Sequence, residues 1–273
     1  MSHLESASPR AARPRPAWRA VALPAEHGGW GLTAEAVLLG LLVRPSAAGA
    51  AVGCAAVLAF LARTPAKLAG VDRLRHRRLE RSVLAERIAA AEVALLAGAI
   101  AFAAARAHPG WWVPLVASLP LFGVELAYDV RSRGRRLLPE LCGAIGMSAV
   151  AAAIALAGGS RARLAAAVSV VLLARSLASV PYARAQVLRL RPKHGGEGRT
   201  AATVMQLVGA VAGVGASALQ RAMWPASAAV GALAAWQLVE MHRPVASAKQ
   251  VGMRQALAGL VLVAVTVVAV RLH

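Results

Sequence analysis

The sequence predicts an all-α fold, a polytopic integral membrane bundle of about nine helices, and three observations predict it. Hydrophobic residues make up 58% of the 273 and charged residues only 16%, more apolar side chain than one soluble core takes up. The apolar mass is Ala, Val and Leu, since Phe, Trp and Tyr together reach 4%, and that favours helices over strands. The alternation of polar and apolar residues between aromatic girdles that marks an outer-membrane barrel is missing.

Residues 1–28 carry Arg10, Arg13, Arg15 and Arg19 with several prolines before any long apolar run. They show no cleavable signal-peptide pattern and are expected to form a disordered, basic cytoplasmic tail. The bundle then occupies 29–273. Its first span, 29–43, starts at Gly29-Trp30, holds Glu35 and stops before Pro45. The second, 46–62, is rich in Ala and Gly, including Ala47, Ala48, Gly49 and Gly53, which suits close helix approach. Spans at 88–105 and 111–128 flank Pro109, and 139–158 ends at Gly158-Gly159. The sixth, 164–181, contains Arg175, and the seventh covers 201–219. Pro225 opens the eighth, 224–240, which ends at Glu240, and Pro244 precedes the ninth, 254–270. Helix breakers thus sit at the joins, although several runs fall short of the roughly 20 residues of an average span.

A formal charge of +19, from 31 Lys and Arg against 12 Asp and Glu, would suggest nucleic acid in a soluble protein. Its distribution decides otherwise. With the tail inside, 24 basic residues fall on the cytoplasmic side and six on the other, and Arg175 lies within a span. That asymmetry places the N-terminus in the cytoplasm and the C-terminus outside, and requires an odd number of spans. No aromatic-interleaved basic fold is present, so no nucleic-acid partner is expected; the bilayer is the expected partner. Cys54 and Cys142 both lie in apolar stretches, where a thiol acts as a small hydrophobe. There is no C-x-x-C, H-E-x-x-H, Walker loop or G-x-S-x-G element, and those reaction classes have no support.

Two expected cytoplasmic loops, 63–87 and 182–200, are much longer than the rest. Within the first, Thr64-Pro65-Ala66-Lys67-Leu68-Ala69-Gly70-Val71-Asp72 precedes Arg77 and Arg81. The second has Tyr182-Ala183-Arg184-Ala185-Gln186 and, later, Arg199-Thr200. This placement resembles the UbiA superfamily of membrane prenyltransferases, nine-helix bundles whose two long loops cap a substrate cavity and carry Asp-rich magnesium motifs. Asp72, Arg77 and Arg81 fall at the first motif's spacing, while Thr64, Pro65 and Leu68 replace its Asn and first two Asp. Tyr182 matches the second motif, and Arg199-Thr200 is similar to its basic-hydroxyl pair, but its three Asp are replaced. The resemblance implies Asp72 and Tyr182 as catalytic candidates, and Arg77, Arg81, Arg199 and Thr200 as contacts to a diphosphate or anionic headgroup. Magnesium needs hard oxygen ligands, and Asp72 is the one matching carboxylate for it. The ion is therefore disfavoured as a cofactor, with Glu80, Glu86 and Glu197 expected in surface ion pairs.

A narrower resemblance rests on Pro24-Ala25-Glu26-His27-Gly28-Gly29-Trp30, the Arg63-to-Arg81 stretch and Asp129 with Glu140-x-x-Gly143. These residues are similar to the YwiC-like family of bacterial membrane proteins, which implies a bacterial cytoplasmic membrane without fixing an activity. Glu26 and His27 read either as a relay or ligand clamp or as an interfacial cap anchored by Trp30. Glu35, about two turns inside a span, requires a partner or a wet cavity; Arg175 and Glu125 raise the same need and can pair with a charge across the bundle.

Two functional readings stay open. One is an enzyme, a transferase acting on an isoprenoid or similar lipid, with arginines taking the anionic group through their planar forks. The other is a non-catalytic membrane protein that binds lipid or quinone or serves a respiratory complex or transport, its basic loops setting topology and attracting anionic lipid.

Overall fold

The computed structural model describes residues 17–24, 27–76, 79–131, 136–191, 198–245 and 247–272. Among them there are ten α-helices and no strand. A short helix α1 (Ala17–Ala22) leads into α2 (His27–Val43), α3 (Ala47–Leu74), α4 (Glu80–Arg106), α5 (Val113–Val130) and α6 (Leu137–Ala157). The order continues with α7 (Ala162–Arg189), α8 (Arg199–Leu219), a single 3-10 turn at Arg221–Met223, α9 (Trp224–Glu240) and α10 (Ala248–Arg271). Each of the nine apolar runs lies in its own helix, α2 to α10. Eight of these helices are long and apolar enough to cross a membrane, and α2 is a shorter apolar helix. The chain is an integral membrane protein by this architecture.

The stretches expected as loops are shorter than the sequence suggests. Helix α3 runs on to Leu74, α4 begins at Glu80, and α7 continues to Arg189. Most of 63–87 and the first part of 182–200 are therefore helix projecting beyond the apolar spans. The reason is composition, because the Ala, Leu, Lys and Arg that make these segments polar are also strong helix formers. Within the expected tail, residues 17–22 form α1, whose Val21 is buried against Ala69 of α3 and Ala85 of α4.

Helix α6 is the centre of the bundle, touching α2, α3, α5 and α7. It buries an almost unbroken small-residue face that includes Ala151, Ala153, Ile154, Ala155 and Ala157. Close approach of α2 to this face depends on Gly40, where a Cβ would stand 2.7 Å from that of Ile154 and 2.9 Å from the Ala151 carbonyl. Small residues thus let backbones meet where lipid would otherwise compete for the surface. Helices α3 and α4 pair with each other, as do α7 and α8, and α9 and α10 close the far side, with α10 returning to α2.

Turns at one end of the bundle are tied together. Arg44 Nε donates to the Gly158 carbonyl at 2.9 Å, and the His108 amide donates to the Ala157 carbonyl at 3.2 Å. Arg271 Nη2 reaches the Leu42 carbonyl at 3.5 Å, so the C-terminal helix finishes at the end where α2 finishes. The basic connections α3–α4, α5–α6, α7–α8 and α9–α10 lie at the opposite end.

Candidate functional site

Helix α7 carries a buried polar stripe through the apolar bundle. Arg175, Ser179, Tyr182 and Gln186 recur every three or four residues along one face, and all four are buried. At its inner end, Arg175 Nη2 pairs with Glu35 Oε1 of α2 at 2.8 Å, the two side chains being 4% and 5% exposed. The same Nη2 donates to the Gln255 carbonyl of α10 at 2.8 Å. Gly259 of α10 makes room for the pair, because a Cβ there would overlap the Glu35 carboxylate and stand 2.7 Å from Arg175 Nη2. An ion pair in so dry a setting requires close geometry and further hydrogen bonds to offset desolvation.

Three glutamines extend the stripe across α8, α9 and α10. Gln206 Nε2 donates to Gln237 Oε1 at 2.7 Å and to the Ala178 carbonyl at 3.0 Å. Gln237 Nε2 in turn reaches Ser179 Oγ at 3.1 Å and Gln255 Oε1 at 3.3 Å. Gln206 and Gln237 are fully buried. Three polar atoms of this network have no hydrogen-bond partner among the described residues: Arg175 Nε, Gln206 Oε1 and Gln255 Nε2. Two are donors and one is an acceptor, all in the bundle interior, where such groups are costly to leave unmatched.

The stripe ends in a cluster of arginines around the C-terminus of α9. Gln186 Nε2 donates to the Glu240 carbonyl at 3.4 Å, and Arg189 donates to the Met241 and Arg243 carbonyls, each at 3.0 Å. Arg199 Nη2 reaches the Met241 carbonyl at 3.4 Å. The Glu240 carboxylate pairs with Arg243 at 3.3 Å and with Arg254 at 2.9 Å. Tyr182 is buried here with Ala185, Ala202, Met241 and Val251, its ring tilted against Trp236 at 6.4 Å.

Elsewhere the charged side chains brace helices. Asp129 of α5 accepts from Arg63 of α3 at 2.7 Å and from Lys67 at 3.0 Å, and Arg63 also pairs with Glu125 at 2.6 Å. Asp72 accepts from Ser82 Oγ of α4 at 2.6 Å and faces Arg81 Nε at 3.5 Å. Arg184 bonds both oxygens of Glu140, at 3.2 and 3.3 Å.

The sequence-derived residues therefore fall into separate groups. Asp72 and Arg81 meet each other in the α3–α4 pair, whereas Tyr182 and Arg199 belong to the α7–α9 end; α2 and α6 are neighbours of both α3 and α7. Thr200 is exposed in the first turn of α8. Glu35 joins the interior network through Arg175, and Tyr182 lies on the same buried stripe of α7. Glu26, Arg77 and the His27 side chain lie outside the described residues. Trp30 packs edge-on against Phe60 of α3 at 5.1 Å, and its indole donates to the Pro24 carbonyl at 3.3 Å. No group of three or more His, Cys, Asp or Glu able to hold a metal ion occurs among the described residues. Sequence reasoning missed the three glutamines and the Arg63–Asp129–Lys67 cluster. The available signal was an amide inside a span, which calls for a partner just as Glu35 does.

Comparison with known proteins gives one match. The model of the YwiC-like protein family matches residues 23–155, which run from the start of α2 to the end of α6 and contain Glu35, the Arg63–Asp129–Lys67 cluster, Asp72 and Glu140. No curated protein and no solved structure matches the chain. Over α2 to α6, then, this membrane protein is similar to the YwiC-like family, and Arg175 and the glutamines lie beyond the matched segment.

Proposed function

We propose that the chain is a YwiC-like protein of the bacterial cytoplasmic membrane that binds a lipid-soluble ligand with a carbonyl or hydroxyl head, of the quinone or isoprenoid class, without group transfer. The observation that carries this reading is the set of unmatched atoms in the interior network. Arg175 Nε and Gln255 Nε2 offer donors to a carbonyl, and Gln206 Oε1 offers an acceptor to a hydroxyl. A few convergent polar groups within an apolar lining are what orient such a ligand. The carboxylate at the prenyltransferase spacing supports binding over catalysis, since Asp72 is engaged by Ser82 and Arg81 rather than free to hold magnesium.

Lipid mass spectrometry of the purified chain tests this. A neutral quinone or isoprenoid should co-purify, and Gln206→Leu with Gln237→Leu should deplete it while the protein stays folded. Magnesium-dependent turnover of a prenyl diphosphate, lost in Asp72→Asn, would establish the transferase reading instead.

A further inference from the structure

The arginine cluster at the end of the stripe carries a second inference, independent of the interior network. Four guanidinium groups gather at the C-terminus of α9 from four different segments: Arg189 at the end of α7, Arg199 at the start of α8, Arg243 just after α9 and Arg254 in the first turns of α10. Arg189 and Arg199 both bond the carbonyl of Met241, at 3.0 and 3.4 Å, while Arg243 and Arg254 both pair with Glu240. Glu240 and Met241 are adjacent. One carboxylate, paired with two of the four cations, accompanies them here, a formal surplus of three positive charges among the described residues at this spot.

Charges of one sign brought this close repel. The backbone bonds that hold Arg189 and Arg199 fix their planes without neutralising them. A guanidinium presents five N–H donors in a planar fork, and the single bonds named for Arg199, Arg243 and Arg254 engage a minority of them. Charge-assisted, multidentate bonding to tetrahedral oxygens is what such forks do best. The cluster also lies at the ends of helices long enough to cross a membrane, the level at which lipid headgroups sit. Helix-dipole capping accounts for cations at a C-terminus, but Arg189 by itself reaches the carbonyls of Met241 and Arg243 just past the end of α9, and the remaining charge exceeds that need.

We propose that Arg189, Arg199, Arg243 and Arg254 form a binding site for a phosphate group, carried by an acidic phospholipid headgroup or free in solution.

Native mass spectrometry of the full chain in detergent, titrated with phosphatidylglycerol, tests this, with inorganic phosphate as a parallel competitor. Arg189→Gln and Arg199→Gln should each weaken phosphatidylglycerol binding by about tenfold or more, the scale of a lost hydrogen bond to a charged group. The pair should be non-additive because both act on one ligand. Arg75→Gln and Arg131→Gln, exposed arginines of the α3–α4 and α5–α6 connections, should change it little. Should either of these variants unfold, Arg243→Gln remains, because its side chain is 65% exposed; it should also weaken binding. Competition by inorganic phosphate would assign the site to the free anion, and its failure would assign it to the lipid; both uphold the site if the arginine dependence holds. Equal losses for all five variants, or none, would mean diffuse attraction to the membrane surface and overturn it.

Discussion

Glu35 and Arg175 meet at 2.8 Å between α2 and α7, with side chains 5% and 4% exposed, and this pair joins the segment similar to YwiC-like proteins, residues 23–155, to a helix beyond it. Neither charge has a favourable place in hydrocarbon alone. Their pairing, with the Gln255 carbonyl as a further acceptor, ties α2, α7 and α10 together at one buried point.

Removing one partner is therefore expected to be severe. Glu35→Leu or Arg175→Met should destabilise by about 3–5 kcal/mol, the usual cost of stranding a buried charge. The double variant Glu35→Leu with Arg175→Met should recover most of that loss, since an apolar pair of similar volume avoids the desolvation. Unfolding curves in detergent for the four proteins of the cycle measure this. A double variant as unstable as the sum of the singles would show that the two residues do not act through each other.

Gly259 offers a gentler perturbation of the same contact. Adding one methyl there drives it into the Glu35 carboxylate, so Gly259→Ala should destabilise by about 1–3 kcal/mol, as overpacking typically does. Gly252, in the same helix with nothing within 4 Å of an added Cβ, is the control. Gly252→Ala should be neutral or stabilise by up to about 1 kcal/mol, because Ala is the better helix former. Thermal unfolding of the two variants side by side decides it.

The helices were legible because bilayer thickness imposes a long apolar run that a reader can find, and all nine runs became helices. The partnership of Glu35 with Arg175 was legible only as a need: each stood alone in a span and required something opposite. Their meeting depends on which helices neighbour α2, and apolar runs rich in Ala do not encode that. Gln206, Gln237 and Gln255 passed unnoticed because amides lack charge and stand out less than carboxylates in an apolar context. The projecting parts of α3 and α7 were misread as loops for a related reason: Lys and Arg signal the membrane boundary without ending a helix.

Asp129 should be the most sensitive carboxylate outside the interior network. It is 3% exposed and takes Arg63 and Lys67 on separate oxygens, so Asp129→Asn leaves two cations underpaired and should destabilise by about 2–4 kcal/mol. Glu86→Gln removes the partner of Arg73, whose side chain is 78% exposed, and should cost less than about 1 kcal/mol, as surface pairs do. Parallel denaturation curves compare the two; a larger loss for Glu86→Gln would reverse the assignment of Asp129 as the brace of α3 on α5.

Topology follows from the two ends of the bundle. Arg44, Gly158, Leu42 and Arg271 gather at one end, which holds the few basic residues of the short turns, whereas the sequence assigns 24 of the 31 Lys and Arg to the side of the N-terminal tail and the α3–α4, α5–α6, α7–α8 and α9–α10 connections. Positive residues near span ends are retained in the cytoplasm, so the basic end should face inward and the α10 C-terminus outward. Alkaline phosphatase fused after His273 should then be active in a bacterial host, since the enzyme folds only outside the cytoplasm, and a fluorescent reporter that matures only inside should be dark there. The same pair of reporters inserted between α7 and α8 should give the opposite result. If α2, the one of the nine not long enough to be counted among the eight membrane-crossing helices, merely lay along the surface, eight crossings would put both termini on one side. Because α8, α9 and α10 separate the two fusion sites, those sites report opposite sides whatever α2 does; a reporter fused ahead of Met1 that lies outside, with both other signals unchanged, would show that α2 does not cross.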